Sequence, residues 1–170
     1  MGQFLSSQKI EMTGLEEPAI DCLICRKQRG EFAVPGGAIY CDDLVYSSHA
    51  HFQEGQNTAY LGWLVVEARR HVPGLAELSD AEAQAFGLLA ARLSRGLRDI
   101  QGVEHVYAFV IGHGVPHLHL HLLPRYPGTP REYWGVRIDE WPEAPRGDQA
   151  EIEQLCARIK SFLEEMYQHD

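Results

Sequence analysis

Long apolar runs are missing from this sequence. No stretch approaches the roughly 20 consecutive apolar residues that a membrane span requires, and residues 1–20 carry no apolar run of the kind found in a secretory leader. A cytoplasmic protein with reduced thiols and no membrane partner is therefore expected. Basic residues are also scarce: 15 Lys and Arg stand against 24 Asp and Glu, a formal net charge of −9 with His neutral. Wrapping a nucleic-acid polymer needs clustered cations against the phosphates, so such a partner is not expected. A small nucleotide remains admissible, because one pocket can be locally positive on an acidic chain. Internal repeats, low-complexity tracts and signs of a second domain are absent as well. A length of 170 residues suits one domain with a sizeable core.

Histidine, in contrast, is concentrated. Of nine histidines, four (His113, His117, His119 and His121) fall within nine residues. The segment His117-Leu118-His119-Leu120-His121-Leu122-Leu123-Pro124-Arg125 alternates imidazole with leucine. On a strand, alternate side chains point to opposite faces. The three imidazoles then share one face, while Leu118, Leu120 and Leu122 turn toward a core. At a rise of about 3.3 Å per residue, neighbouring imidazoles start ~6.6 Å apart, enough to span a phosphate and its neighbours. Imidazole, with an ordinary pKa of about 6.5, is nucleophilic near neutral pH, and a neighbouring ring can be charged at little cost. One ring can attack phosphorus while others handle protons or stabilise charge on the oxygens. Two histidines at i and i+2 also suit a catalytic zinc or iron site, given further ligands nearby. Chance alternation on a solvated strand is the third reading.

Elsewhere the pattern supplies the frame. Residues 22–28 suit a helical turn, residues 38–46 one or two short strands, and residues 60–67 a strand rich in aromatic and β-branched side chains. Ser79 is a good N-cap, and Phe86, Leu89, Ala90, Leu93 and Leu97 recur at helical spacing, predicting a helix that stops near Gly102. Strands are expected over residues 105–111 and 117–123, joined by Gly112-His113-Gly114-Val115-Pro116. The chain divides into an arm over residues 1–20, a core over 21–126, a Pro-rich and aromatic loop over 127–147, and a helix over 148–170. Trp134 and Trp141 in that loop either cover a ligand or anchor the loop. In the last helix Ile152, Leu155, Ile159 and Leu163 face inward. Cys22 and Cys25 have the spacing of half a zinc site, and no βαβ pattern surrounds them to favour a redox role.

The histidine segment resembles the His-x-His-x-His-x-x signature of the histidine-triad (HIT) family of nucleotide hydrolases and transferases. Its trailing Pro124-Arg125 is similar to the bacterial and dinucleoside-polyphosphate-hydrolase branches. Upstream, Gly62-Trp63-Leu64-Val65-Val66-Glu67-Ala68-Arg69-Arg70-His71 resembles the family's glycine-led strand followed by basic residues and a His. Cys22-Leu23-Ile24-Cys25 resembles its N-terminal Cys-x-x-Cys. The resemblance implies an α+β fold, with an antiparallel sheet of about five strands, two main helices and a homodimer sharing one continuous sheet.

It also implies hydrolysis or transfer at the α-phosphate of a nucleotide, a dinucleoside polyphosphate or a related compound, through a nucleotidyl intermediate on His119. His121 would contact the α-phosphate and assist the leaving group, His117 would complete the catalytic set, and a backbone carbonyl would orient the nucleophile. Cys22, Cys25, His71 and His117 would hold a structural zinc, with no organic cofactor. Gly112 and His113 stand where the family has Gly-Gln, so both are phosphate candidates, as is Arg125. Gly114 lacks the hydroxyl of the family's Ser or Thr. His49 stands where an Asp often binds ribose. These departures leave open a nucleotide-binding regulatory module with little catalysis.

Overall fold

In the computed structural model, residues 22–168 are described; the expected N-terminal arm and the last two residues lie outside them. The frame follows from two amphipathic helices. Helix α2 runs over Asp80–Gln101. Ser79 accepts from the Glu82 N–H while the Glu82 carboxylate reaches back to the Ser79 N–H, so two free backbone donors are satisfied at the helix start. The helix ends at Gly102, whose left-handed φ of 65° is one that a side chain rarely adopts. Its stripe of Phe86, Leu89, Leu93 and Leu97 is buried. Helix α3, Gln149–Gln168, buries Ile152, Leu155, Ile159 and Leu163 in the same way.

These helices cover one face of a five-stranded sheet. Its strands are β1 (Ala38–Cys41), β2 (Val45–His49), β4 (Leu64–Ala68), β5 (His105–Phe109) and β6 (His119–Arg125). Every pairing is antiparallel and the spatial order is β1-β2-β4-β6-β5. Leu118 and Leu122 are fully buried in the helix-side core and Leu120 packs against it, as the alternation requires. The α+β architecture with five antiparallel strands and two main helices is thus the one expected.

Two strand expectations are corrected. Residues 60–67 do not form one strand: β3 (Ala59–Tyr60) pairs with β7 (Arg146–Gly147), and β4 begins only at Leu64. Between them Gly62 has a φ of 80° and the Trp63 N–H bonds back to the Tyr60 carbonyl, which turns the chain. The histidine strand starts at His119 rather than His117 and continues through Pro124 to Arg125. Proline is tolerated there because β4 pairs with β6 only as far as Leu122, so β6 beyond that point has one neighbour.

The six-residue helix α1, Leu23–Gln28, is too short to be stable alone. It is held to the uncovered face of the sheet by its buried Ile24, Cys25 and Lys27. The long segment after β6 is anchored by Ile138, which is fully buried, and contains two short 3-10 helices, Arg131–Tyr133 and Gly135–Glu140.

Candidate active site

The sheet register assembles the site. His119 lies opposite Glu67, and His121 opposite Val65 on one side and Phe109 on the other. Tyr46 and Ser48 continue the same rows onto β2. Directly opposed residues share a face, so Tyr46, Ser48, Val65, Glu67, His119 and His121 all lie on the face away from α2 and α3. The His119 and His121 rings are 4.9 Å apart and nearly perpendicular. His117 does not continue their row. Its N–H bonds the Val115 carbonyl, and its ring is fully buried beside Cys22 and Cys25.

Hydrogen-bond partners fix the proton on each ring. The His119 Nδ1–H donates to the His117 carbonyl at 2.7 Å, which leaves the Nε2 lone pair free. A carbonyl can only accept, so Nδ1 must carry the hydrogen. The Trp63 indole N–H, donor only, bonds His121 Nδ1 at 3.0 Å, so that nitrogen accepts and Nε2 bears the proton. Burial, and then the neighbouring His119, push the His121 imidazole down to about 4, and it is neutral at physiological pH. His117 is pushed down to about 4 as well, mainly by burial. Its Nε2–H donates to the Ala68 carbonyl at 2.8 Å and leaves Nδ1 available as a ligand.

That nitrogen completes a cluster. Ligand atoms of Cys22, Cys25, His71 and His117 all lie within 4.8 Å of one another. His117 Nδ1 is 3.4 Å from both sulfurs, and His71 Nδ1 is 3.5 Å from Cys25 Sγ. A tetrahedral ion with sulfur at about 2.3 Å and nitrogen at about 2.0 Å separates neighbouring sulfur and nitrogen atoms by about 3.5 Å. The donor set therefore fits a Cys2His2 metal centre. Burial, with the adjacent Cys22, raises the Cys25 thiol to about 11 when no metal draws off its proton. Val115 packs against the cysteines and joins the loop before β6 to the cluster.

A cavity of about 240 Å³ opens beside His119 and His121. Leu23, Ile24 and Lys27 of α1 form one wall; Trp63, together with Val65 and Glu67 of β4, forms the floor. A larger groove of about 440 Å³ runs between β1 and α3, past Tyr40 and Tyr167. It contains none of the triad histidines and none of the metal-ready cluster, so chemistry rather than size selects the smaller cavity.

The other sequence candidates fall as follows. His49 sits at the cavity wall with both ring nitrogens on backbone: Nδ1–H donates to Ala50 O at 2.9 Å and Nε2 accepts from the Gly62 N–H at 3.1 Å. Its strand partner is Leu64 of the core; Ser48, opposite Val65, is fully buried and does not line the cavity. His113 is exposed, and neither it nor Gly112 lines the cavity. Arg125 is at the far end of β6, with its guanidinium 3.9 Å above the Trp134 ring and near Glu104 and Tyr107. Trp134 donates to Thr129 O at 2.9 Å, so it fastens the long loop; neither it nor Trp141 lines the cavity. Sequence reasoning missed Trp63, Lys27 and Glu67 as cavity residues. Strand pairing brings Glu67 opposite His119, the turn before β4 aims Trp63 at His121, and the seat of α1 brings Lys27 to Glu67; a single sequence displays none of these long-range contacts.

Residues 34–128 match the HIT domain, more than half of the chain, and the protein belongs to that family. No curated protein matches it. Solved structures share the fold at low identity. A hypothetical histidine triad nucleotide-binding protein from Sulfolobus tokodaii is 17% identical, with a TM-score of 0.64 over 85% of this chain and 93% of that one. A Zn-bound histidine triad family protein from Mycobacterium smegmatis is 16% identical, with a TM-score of 0.63 over 88% and 98%. A Hit-like protein involved in cell-cycle regulation from Bartonella henselae is 15% identical, with a TM-score of 0.59 over 84% and 96%.

Proposed function

We propose that the protein is a nucleotide hydrolase or nucleotidyltransferase that acts at the α-phosphate through a covalent intermediate on His119 Nε2. The observation that carries this reading is the bond from His119 Nδ1–H to the His117 carbonyl, which leaves the opposite nitrogen unprotonated beside the cavity. The Nε2 lone pair attacks phosphorus, an N–P bond forms and the bond to the leaving group breaks. The developing imidazolium is stabilised by the same carbonyl. Neutral His121 offers its Nε2–H to a phosphate or leaving-group oxygen. Water, or a second phosphate as acceptor, then cleaves the N–P bond and returns the ring to its starting state. A cavity of about 240 Å³ is below the roughly 300–1,000 Å³ that encloses a drug-sized ligand, so it suits one nucleoside end of a dinucleoside polyphosphate.

Zinc at Cys22, Cys25, His71 and His117 would be closed by four protein ligands and structural. The Zn-bound relative from Mycobacterium smegmatis supports that choice of metal. A homodimer with a continuous sheet would form along β5, the sheet's edge, next to exposed Val110 and Ile111. Among the described residues no helix is long and apolar enough to cross a membrane, in keeping with a cytoplasmic setting. His119 and His121 do not form a metal site in this reading: their Nδ1 atoms are held by a carbonyl and an indole, and His121 Nε2 carries its proton, so His119 Nε2 is the one free lone pair of the two rings.

The test is to incubate the protein with dinucleoside polyphosphates, phosphoramidates and nucleotide sugars, then search for a nucleotidyl adduct by mass spectrometry. The adduct is expected on His119 and absent from His119→Ala. Turnover without any adduct, or undiminished in His119→Ala, rejects the mechanism. Nucleotide binding with no turnover on the whole panel would instead favour a regulatory module, a reading suited to Gly114, which offers no hydroxyl.

A further inference from the structure

Helix α1 reaches the fully buried His117 ring from two sides. From one end of the helix, Cys22 and Cys25 bring their sulfurs to 3.4 Å from His117 Nδ1. From the other end, Gln28 Nε2 donates to the Ala68 carbonyl at 3.1 Å, and that carbonyl accepts the His117 Nε2–H at 2.8 Å. The same Gln28 nitrogen donates to Glu67 Oε2 at 3.2 Å. A carbonyl and a carboxylate only accept, so the NH2 side of the amide must face both. The Gln28 oxygen on the opposite side lies 3.5 Å from Arg69 Nη1, a donor. Glu67 is in turn paired with the Lys27 ammonium, the two side chains being 5% (Lys27) and 2% (Glu67) exposed.

We infer that Gln28 is a positioning residue of the metal centre: it fixes the Ala68 carbonyl, which fixes the plane of the His117 ring and aims Nδ1 at the ion. The inference rests on the zinc reading above. Ala68 is the last residue of β4, and the ladder to the histidine segment breaks there. Leu118 takes the Ala68 N–H at 3.2 Å but gives its own N–H to the Val72 carbonyl at 2.6 Å. The Ala68 carbonyl is thereby left to side chains, and its two lone pairs accept from His117 and Gln28. A carbonyl outside the ladder tilts with its peptide plane unless another group holds it. Gln28 supplies that hold, and the buried Lys27–Glu67 pair keeps a charged acceptor beside the amide, which makes the orienting bond stronger than one between neutral groups.

The consequence is a metal ligand gripped at both nitrogens by one six-residue helix. Outer contacts of this kind set the tautomer and ring orientation of a ligating histidine, and disturbing them costs about 10–100-fold in metal affinity. The backbone carbonyl of the same His117 orients His119, so the brace also stands in line with the nucleophile.

Zinc titration of the full chain against a chromophoric chelator tests this with Gln28→Met, which keeps the reach of the side chain and removes its donors. The variant should bind zinc about tenfold or more weakly than the parent. Both cysteines sit at α1, so a loosened helix would also weaken binding. Ile24→Val, which trims the buried side of α1 and leaves the brace intact, is therefore the comparison. For each degree of melting temperature lost, Gln28→Met should cost more zinc affinity than Ile24→Val. Nitrogen NMR reads what helix seating alone does not move: the His117 Nε2–H should exchange slowly with solvent in the parent and in Ile24→Val, and clearly faster in Gln28→Met. Affinity lost only in proportion to melting temperature, or a His117 Nε2–H as protected in Gln28→Met as in the parent, overturns the brace and leaves Gln28 as part of the helix's seat. Should Gln28→Met fail to fold, Gln28→Asn, which keeps the amide and shortens its reach, should show both changes in smaller degree. A parent chain that takes up no zinc rejects the Cys2His2 reading, and the brace with it.

Discussion

The backbone carbonyl of His117 holds the His119 ring at 2.7 Å, while the His117 ring lies 3.4 Å from both Cys22 and Cys25 sulfurs. One residue thus joins a metal-ready cluster to the atom that sets the nucleophile's tautomer. Helix α1 makes a second connection, since it supplies both cysteines' surroundings and the cavity wall of Leu23, Ile24 and Lys27.

Loss of the metal should therefore damage catalysis and stability together. Purified protein should contain about one zinc per chain. Cys22→Ser/Cys25→Ser should lose the metal, melt at least about 5 °C lower and lose at least about tenfold in kcat, in line with the 10–100-fold effects of disturbed outer-shell contacts. Elemental analysis, melting curves and single-turnover kinetics measure the three quantities. Full activity in protein verified as metal-free would separate the cluster from the chemistry.

Trp63 should act on rate through His121. Its indole donor keeps Nδ1 of His121 as the acceptor and favours the neutral ring. Trp63→Phe preserves most of the apolar wall and removes the donor. His121 should then populate both neutral tautomers, while burial, the main cause of its lowered value, stays in place. Nitrogen NMR of the imidazoles would follow the tautomer and the titration. The expected loss is about tenfold in kcat with little change in KM, about 1.4 kcal/mol of transition-state stabilisation. An unchanged tautomer and rate would reduce Trp63 to packing.

How much of this was legible in the sequence depended on whether the signal was local. Helices α2 and α3 announce themselves by apolar spacing, and the buried and half-buried leucines of β6 by alternation. The cysteine cluster was reached through resemblance, and its four ligands do converge. Lys27 and Glu67 are 40 residues apart, and nothing in either segment names the other as its partner. His49 illustrates a sharper difficulty. Its backbone pairs with Leu64 of the core, yet its ring reaches the cavity wall with both nitrogens already bound to backbone, a placement that residue spacing alone does not display. Arg125 follows the triad directly in sequence, yet a seven-residue strand carries it away from the cavity to stack on Trp134.

The broken strand at Gly62 provides a stability test. Its φ of 80° suits glycine, and an added Cβ would lie 3.1 Å from both Leu97 Cδ2 and Pro124 Cγ. Gly62→Ala should therefore cost ~1–3 kcal/mol through backbone strain and crowding. Its N–H also bonds His49, so the distortion should reach the cavity wall. Urea titration measures the loss; a variant as stable as the parent would show that the turn accommodates a methyl group.

The start of α2 should weaken the fold in acid. Arg70 donates twice to the Glu82 carboxylate, at 2.9 and 2.7 Å, and Ser79 adds its N–H at 2.8 Å. The Arg70 bonds first, and the Ser79 bonds with them, hold Glu82 down at about 2, against 4.5 ordinarily. A carboxyl with a lowered folded pKa binds fewer protons folded than unfolded. Its contribution is complete above about pH 4.5 and is lost as pH falls toward 2. Because the Arg70 side chain is 51% exposed, solvent screens the pair, and ~1–2 kcal/mol is a fair expectation. Glu82→Gln should lower stability by that amount at pH 7 and by much less at pH 2.5. Denaturant melts of both proteins across that range provide the comparison, and a variant whose deficit stayed constant with pH would show that the carboxylate's charge is not the source.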